Sequence, residues 1–241
     1  MKRVITGIIL SALCVYVAGN CHAASALDWL KTQSQALTSA KLSDTKIGAG
    51  LKEALKVGIE NTIKTLGKQD GYLGNKAVKI LMPDIIQKAE PILRGVGFGP
   101  KIDEFTLSMN RAAEKAAPVA ADVFATAITD MTIDDTQKLM KGGDTAATDY
   151  FKAKTYGTLL TKFQPAVESA MNQYAVTKKF SEITAKVNTI PMVSKVTNLD
   201  LNKYVAGKAL DGLFYTLAQE EKNIRTNPSA RATQLLKEVF K

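Results

Sequence analysis

The sequence predicts an all-α protein, a single-domain bundle of about eight helices. Three observations carry that expectation. Apolar residues recur at helical spacing along almost all of the 241-residue chain, and alanine is abundant. The only cysteines are Cys14 and Cys21, so no disulfide framework is available to the main body and packed apolar faces must hold it together. Each apolar stripe needs another to cover it, and helix on helix is the simplest solution.

The chain opens with a layout of its own. Met1-Lys2-Arg3 is basic, Val4 to Ala18 is apolar apart from Thr6, Gly7 and Ser11, and Cys21-His22-Ala23-Ala24 is a small-residue exit. This is the pattern of a secretory signal peptide. The apolar run falls short of the roughly 20 residues that cross a bilayer as a helix. Residues 1–23 are therefore expected to be a cleaved leader, 24–241 the mature all-α domain, and the destination the periplasm. Lipid anchoring at Cys21 is the minor alternative, because Asn20 and Ala18 depart from a lipid-attachment box. Cleavage after Ala23 removes both cysteines, the single His22, and two of the 32 basic residues. It removes none of the 23 acidic ones, and the mature chain carries +7.

Asp28 to Ser39 reads as a first helix. Ser43-Asp44 can cap a second, carrying Leu51, Leu55, Ile59, Ile63 and Leu66 to a stop at Gly67. Asp70-Gly71 marks a turn. Val78 to Met82 is the one stretch with the length of a short strand. Asp84 to Arg94 reads as helix, and Gly95, Gly97, Gly99 and Pro100 break it. Ile102 to Met131 carries one stripe that Pro118 should kink or split. Thr132 to Asp135 has the form of a capping box, with Asp at the third position, and that helix ends at Gly142-Gly143. Asp144 or Thr145 can cap the next, which runs towards Pro165, with more helix to about Asn188. Ile190-Pro191 starts a connector, Asn198 to Arg225 is helical, and Asn227-Pro228 opens the last helix.

Five separated blocks resemble one family in order and spacing. They are Gly50 to Leu55, Met109 to Glu114, Gly143 to Phe151, Asp211 to Phe214, and Glu221 to Pro228. Together they look like a bacterial family of secreted proteins of unknown function, DUF4197, over about Leu42 to Phe240. The resemblance implies an exported helical protein and carries no catalytic residue across.

A mature chain without His or Cys excludes imidazole-dependent triads and the usual zinc sites. No cofactor and no metal is implied. The residues left for chemistry gather in two places. Asn110, Arg111 and Glu114 lie away from the Phe105-Met109-Ala116 stripe, with Arg111 and Glu114 spaced to pair. Glu220, Glu221 and Arg225 are the second group. Glu220 falls on the stripe of Ala206, Leu213, Leu217 and Ile224, and Glu221 precedes Arg225 by four. A carboxylate on an apolar stripe must find a partner or protonate. A buried lock to Arg111, Arg94 or Arg231 is the structural reading. A carboxylate acid working with Arg111, in a hydrolase or transferase, is the catalytic one. Asp130, Asp134 and Asp135 fit the positive end of a helix, and Gly142 to Thr145 with Thr148 fits a cap. Tyr150, Phe151, Tyr156 and Phe163 read as core, or as the wall of a pocket for a lipid-like ligand.

The basic excess points to an anionic envelope component or lipid as partner. Nucleic acid is not expected, and the mature chain holds no membrane-spanning stretch. The function expected is non-enzymatic binding or scaffolding of an acidic or amphipathic partner at the cell envelope. The rivals are the carboxylate–arginine enzyme and a carrier with an apolar inter-helix cavity. Oligomeric state is not legible.

Overall fold

The computed structural model describes residues 23–190 and 199–240, with side chains from Asp44 onwards. The expected leader as far as His22, the alternative lipid site at Cys21 and the connector after Ile190 lie outside the described residues. Asp44–Lys241 forms one compact unit and Met1–Ser43 another, of which the described part is helical.

The described chain is all-α, with no strand or sheet among its residues. The helices are α1 (Ala23–Gly67), α2 (Asp84–Gly95), α3 (Gly99–Ala116), α4 (Ala120–Thr129), α5 (Ile133–Met140), α6 (Ala146–Gln173), α7 (Val176–Val187), α8 (Leu201–Thr226) and α9 (Gln234–Val239). α6 is the central element and packs most extensively against α8 and α3. Its buried Phe151, Leu159, Phe163, Val167 and Met171 follow the spacing of a single inward stripe. Phe124 of α4 meets Phe151 of α6 and Phe214 of α8 edge to face, at centroid distances of 6.0 and 5.8 Å. Such pairs add about 1 kcal/mol each beyond burial. Phe105 of α3 and Phe180 of α7 lie 5.7 Å apart.

Several breaks fall where local chemistry puts them. Pro118 sits in a 3₁₀ turn, Ala117–Val119, that splits the long stripe into α3 and α4. Thr132 and Asp135 form the reciprocal capping box at the start of α5. α1 ends at Gly67, and Asp70 follows with φ of 63°.

Other boundaries differ from the sequence reading. Residues 28–39 and the helix through Leu66 are one helix, α1: Ser43-Asp44 opens no new helix, and the turn runs on through Gly48 and Gly50. α6 passes through Pro165 and ends instead at Gln173, two residues before Ala175, whose φ is 50°. Pro165 is exposed, so the backbone group it leaves unpaired can face water. Asn227-Pro228 opens only a 3₁₀ turn, Pro228–Ala230. The last helix starts six residues beyond Pro228, with Thr233 accepting a hydrogen bond from the Leu236 N–H. Val78 to Met82 joins no sheet: Val78 lies in a turn and 79–82 carry no regular structure. Tyr72, Val78, Ile80 and Met82 point inwards and are buried, which makes residues 68–83 a connection between α1 and α2 that is buried at alternate points and exposed between them.

Two close approaches fix the periphery. A Cβ on Gly212 of α8 would stand 2.8 Å from Tyr72 Cε1 and 3.1 Å from Val78 Cβ, so the connection packs directly on the helix backbone. A Cβ on Gly50 of α1 would lie 2.4 Å from Val239 Cγ2, which seats α9 on α1.

Candidate functional site

The buried points of this connection must satisfy their backbone polar groups without a sheet. α3 does this with the first group of candidate residues. Asn110 accepts a hydrogen bond from the Ile80 N–H at 2.8 Å and donates through Nδ2 to the Ile80 carbonyl at 2.9 Å. One amide side chain thus makes both bonds that a neighbouring strand would supply. One turn on, Glu114 Oε1 accepts from the N–H groups of Tyr72 and Leu73 at 3.2 and 3.3 Å. Its other oxygen takes Arg111 Nη1 at 2.6 Å, and Arg111 Nη2 reaches Asp70 at 2.8 Å. The Arg111 side chain is 18 % exposed and that of Glu114 5 %, so this pair is shielded on one side and open on the other. The Tyr72 hydroxyl donates to the Ala209 carbonyl at 2.7 Å. Burial, and then the Glu114 charge, push its proton affinity far above the usual tyrosine range.

The second group is centred on Glu221. This carboxylate is buried and accepts from the Ala147 and Thr148 N–H groups at 3.0 and 2.8 Å, and from Thr148 Oγ1 at 2.8 Å. These are N–H groups of the first turn of α6, which have no partner within that helix. Thr145, the residue at the cap position, makes no capping bond; its hydroxyl goes to Asp149. Glu221 therefore caps α6 from α8, with negative charge at the positive helix end. Arg225 Nε donates to Glu221 Oε1 at 2.9 Å, and Arg225 Nη2 donates to the Leu139 carbonyl in the last turn of α5, also at 2.9 Å. The cation sits at a negative helix end, and Phe240 covers its guanidinium at 5.9 Å. One ion pair joins α5, α6, α8 and the C-terminal turn.

Glu220 has a different place from the one its stripe suggested. It is half-exposed and accepts from Asn61 Nδ2 at 3.2 Å, while Glu221 is the buried carboxylate. The inward stripe runs Leu210, Phe214, Leu217, Glu221, Ile224, taking the four-residue step after Leu217. The lock does not run to Arg111, Arg94 or Arg231 either. Arg94 binds Asp103 and Glu90, and Arg231 donates to the carbonyls of Ile224 and Arg225.

The two groups do not meet. Among the described residues no hydrogen bond or ion pair links Arg111 or Glu114 with Glu220, Glu221 or Arg225. Glu114 borders the hollow beside Gly67, and Glu221 borders the seam beside Gly58. Nine residues of α1 separate those glycines, roughly 13 Å of helix.

The seam between α1 and α8 encloses about 10 Å³, lined by Leu51, Leu55, Leu217 and Ile224 among others. That is about the space of one water molecule. Phe151 and Phe163 are core, and Tyr156 stacks on Phe214 at 6.2 Å. Asp135 serves the α5 cap, and its hydrogen bonds from Thr132 hold its carboxyl below the usual range. Among the described residues no three His, Cys, Asp or Glu side chains are grouped to hold a metal ion. No single described helix is long and apolar enough to cross a membrane.

Sequence reasoning missed Asp70, Tyr72 and Ile80 as partners of α3, and Ala147 and Thr148 as partners of Glu221. Only the Gly142-to-Thr148 cap reading pointed near the second group.

Residues 41–241 match the model of a family described as a protein of unknown function, DUF4197. No curated protein and no solved structure matches the chain.

Proposed function

Starting from the chain's membership of the DUF4197 family, whose function is unknown, we propose that it is an exported protein. In this reading it binds or scaffolds an acidic or amphipathic partner at the cell envelope and converts no substrate. One observation carries the reading. The carboxylates best placed for chemistry, Glu114 and Glu221, are each engaged by two backbone N–H groups and an arginine. A carboxylate so occupied is a fastening, with most of its roughly four acceptor positions already taken. What remains at the surface is the basic excess of +9 for the whole chain, or +7 without the leader. Fields of that sign draw in anionic surfaces.

The test is association of the chain with phosphatidylglycerol vesicles and with phosphatidylcholine vesicles at low and raised salt. Binding to the anionic vesicles alone, weakening as salt rises, supports the proposal. Equal binding to both, or none at low salt, contradicts it. Export has its own readout: protein recovered from the producing cell should begin at Ala24. An intact Met1 in a cytosolic fraction would overturn the periplasmic assignment.

A further inference from the structure

A hollow of about 550 Å³ opens between α3, the end of α1 and the α6–α7 junction. We propose that it seats an amphipathic anion, a carboxylate or phosphate on a short apolar body. This inference rests on the binding function above and gives it a place.

By its lining alone this hollow differs in charge from two others of similar size; Asp70, which pairs with Arg111 from outside the lining, offsets that difference, and the distinction rests on Lys115. The hollow beside α2 and α3 sets Lys79 and Arg94 against Glu90 and Asp103. The one between α4 and α6 sets Lys154 and Lys162 against Asp130 and Asp135. Both are balanced. The α3–α7 hollow is bordered by Arg111, Lys115 and Lys179 against Glu104 and Glu114.

The three cations differ in how free they are. Lys179 is held by Ser108 Oγ and the Tyr174 carbonyl at 2.8 Å each and by Glu104 at 3.1 Å, so its donors are engaged. Arg111 is fixed in direction by Glu114 and by Asp70, which reaches it from outside the lining. Two of its five N–H donors account for those bonds. Lys115 is exposed, touches the Gln173 amide oxygen, and has no carboxylate within ion-pair distance among the described residues. The anion's place is therefore beside Lys115, with the open side of Arg111 as second donor.

The apolar wall is on the same hollow. Leu107 and Tyr174 are 37 % and 36 % exposed, and both border it. Two left-handed residues flank the hollow without bordering it. Among the described residues the non-glycine positions with positive φ are Asp70, which holds Arg111, and Ala175, which follows Tyr174. Such strain is kept where surrounding structure imposes a geometry, and it concentrates at ligand sites.

The experiment is calorimetric titration of the intact chain with octyl phosphate below its micelle concentration. Octanol, octyltrimethylammonium and inorganic phosphate are run beside it. One saturable site is expected for octyl phosphate, with much weaker binding of the other three. Lys115→Glu and Leu107→Asp change exposed residues and leave the core intact. Each should weaken octyl phosphate about tenfold or more, a loss of about 1.4 kcal/mol, with unchanged circular dichroism. No saturable site, or the same affinity in both folded variants, overturns the proposal. Inorganic phosphate binding as tightly as octyl phosphate overturns the role of the apolar wall. If octyl phosphate fails while anionic vesicles still bind the chain, the hollow is refuted and the envelope function stands; if both fail, both fall.

Discussion

Asn110 and Ile80 exchange two hydrogen bonds, side-chain amide to backbone, in the pattern that pairs residues across a β-sheet. The Asn110 side chain is fully buried, and it makes a third bond to the Thr106 carbonyl. A non-helical segment is held inside a helical protein because one amide pairs with the backbone groups of Ile80. Replacing Asn110 by Leu keeps the volume but strands a buried N–H and C=O. The expected loss is about 2–6 kcal/mol of unfolding free energy, at roughly 1–3 kcal/mol for each of the two unsatisfied groups. Urea unfolding of Asn110→Leu measures it.

Ala175 is strained for an L-residue with a side chain, at φ 50° and ψ 35°. Glycine carries little penalty in that conformation. Ala175→Gly should raise thermal stability by up to about 1 kcal/mol, part of the gain being offset by glycine's larger unfolded-state freedom. A melting temperature below that of the parent chain would mean that the alanine side chain makes contacts that outweigh the strain.

Tyr72 gives a pH dependence with a definite sign. Its folded-state proton affinity is raised by burial and then by Glu114, so the folded chain keeps the proton while the unfolded chain loses it near the ordinary value of 10.0. The stability from this group is complete below pH 10 and is lost progressively as pH rises beyond it. Tyr150, Tyr156 and Tyr204 are also raised by burial and add to the same loss. Tyr72→Phe should cost about 1 kcal/mol at neutral pH through the bond to Ala209 and shallow the decline above pH 10. Chemical unfolding at a series of alkaline pH values reads both effects.

Legibility in the sequence followed the range of the interaction. The Thr132–Asp135 cap, the split at Pro118 and the stop at Gly67 depend on residues within a turn of one another, and each was readable there. The break at Ala175 was not, because alanine carries no turn signature and the conformation is imposed from outside. Asn110, Arg111 and Glu114 were legible as polar residues off the apolar stripe, and Glu221 and Arg225 as a pair four residues apart. Their partners were not, since Ile80 lies 30 residues from Asn110 and Ala147 lies 74 from Glu221. Glu220 and Glu221 could not be separated by a helical wheel, as both steps from Leu217 suit a packed face. The Lys115 hollow left no trace in the chain, because its walls come from three elements and its character rests on one lysine without a carboxylate partner.

Unfolding of Glu221→Gln by urea tests most directly the central claim that the buried carboxylates fasten the fold. Glutamine keeps the shape but leaves Arg225, whose side chain is 10 % exposed, without its counter-charge and weakens the cap on α6. A loss of about 3–5 kcal/mol, the cost of breaking a buried pair from one side, is the expected result. Stability equal to that of the parent chain would contradict the account and return Glu221 to the candidates for catalysis.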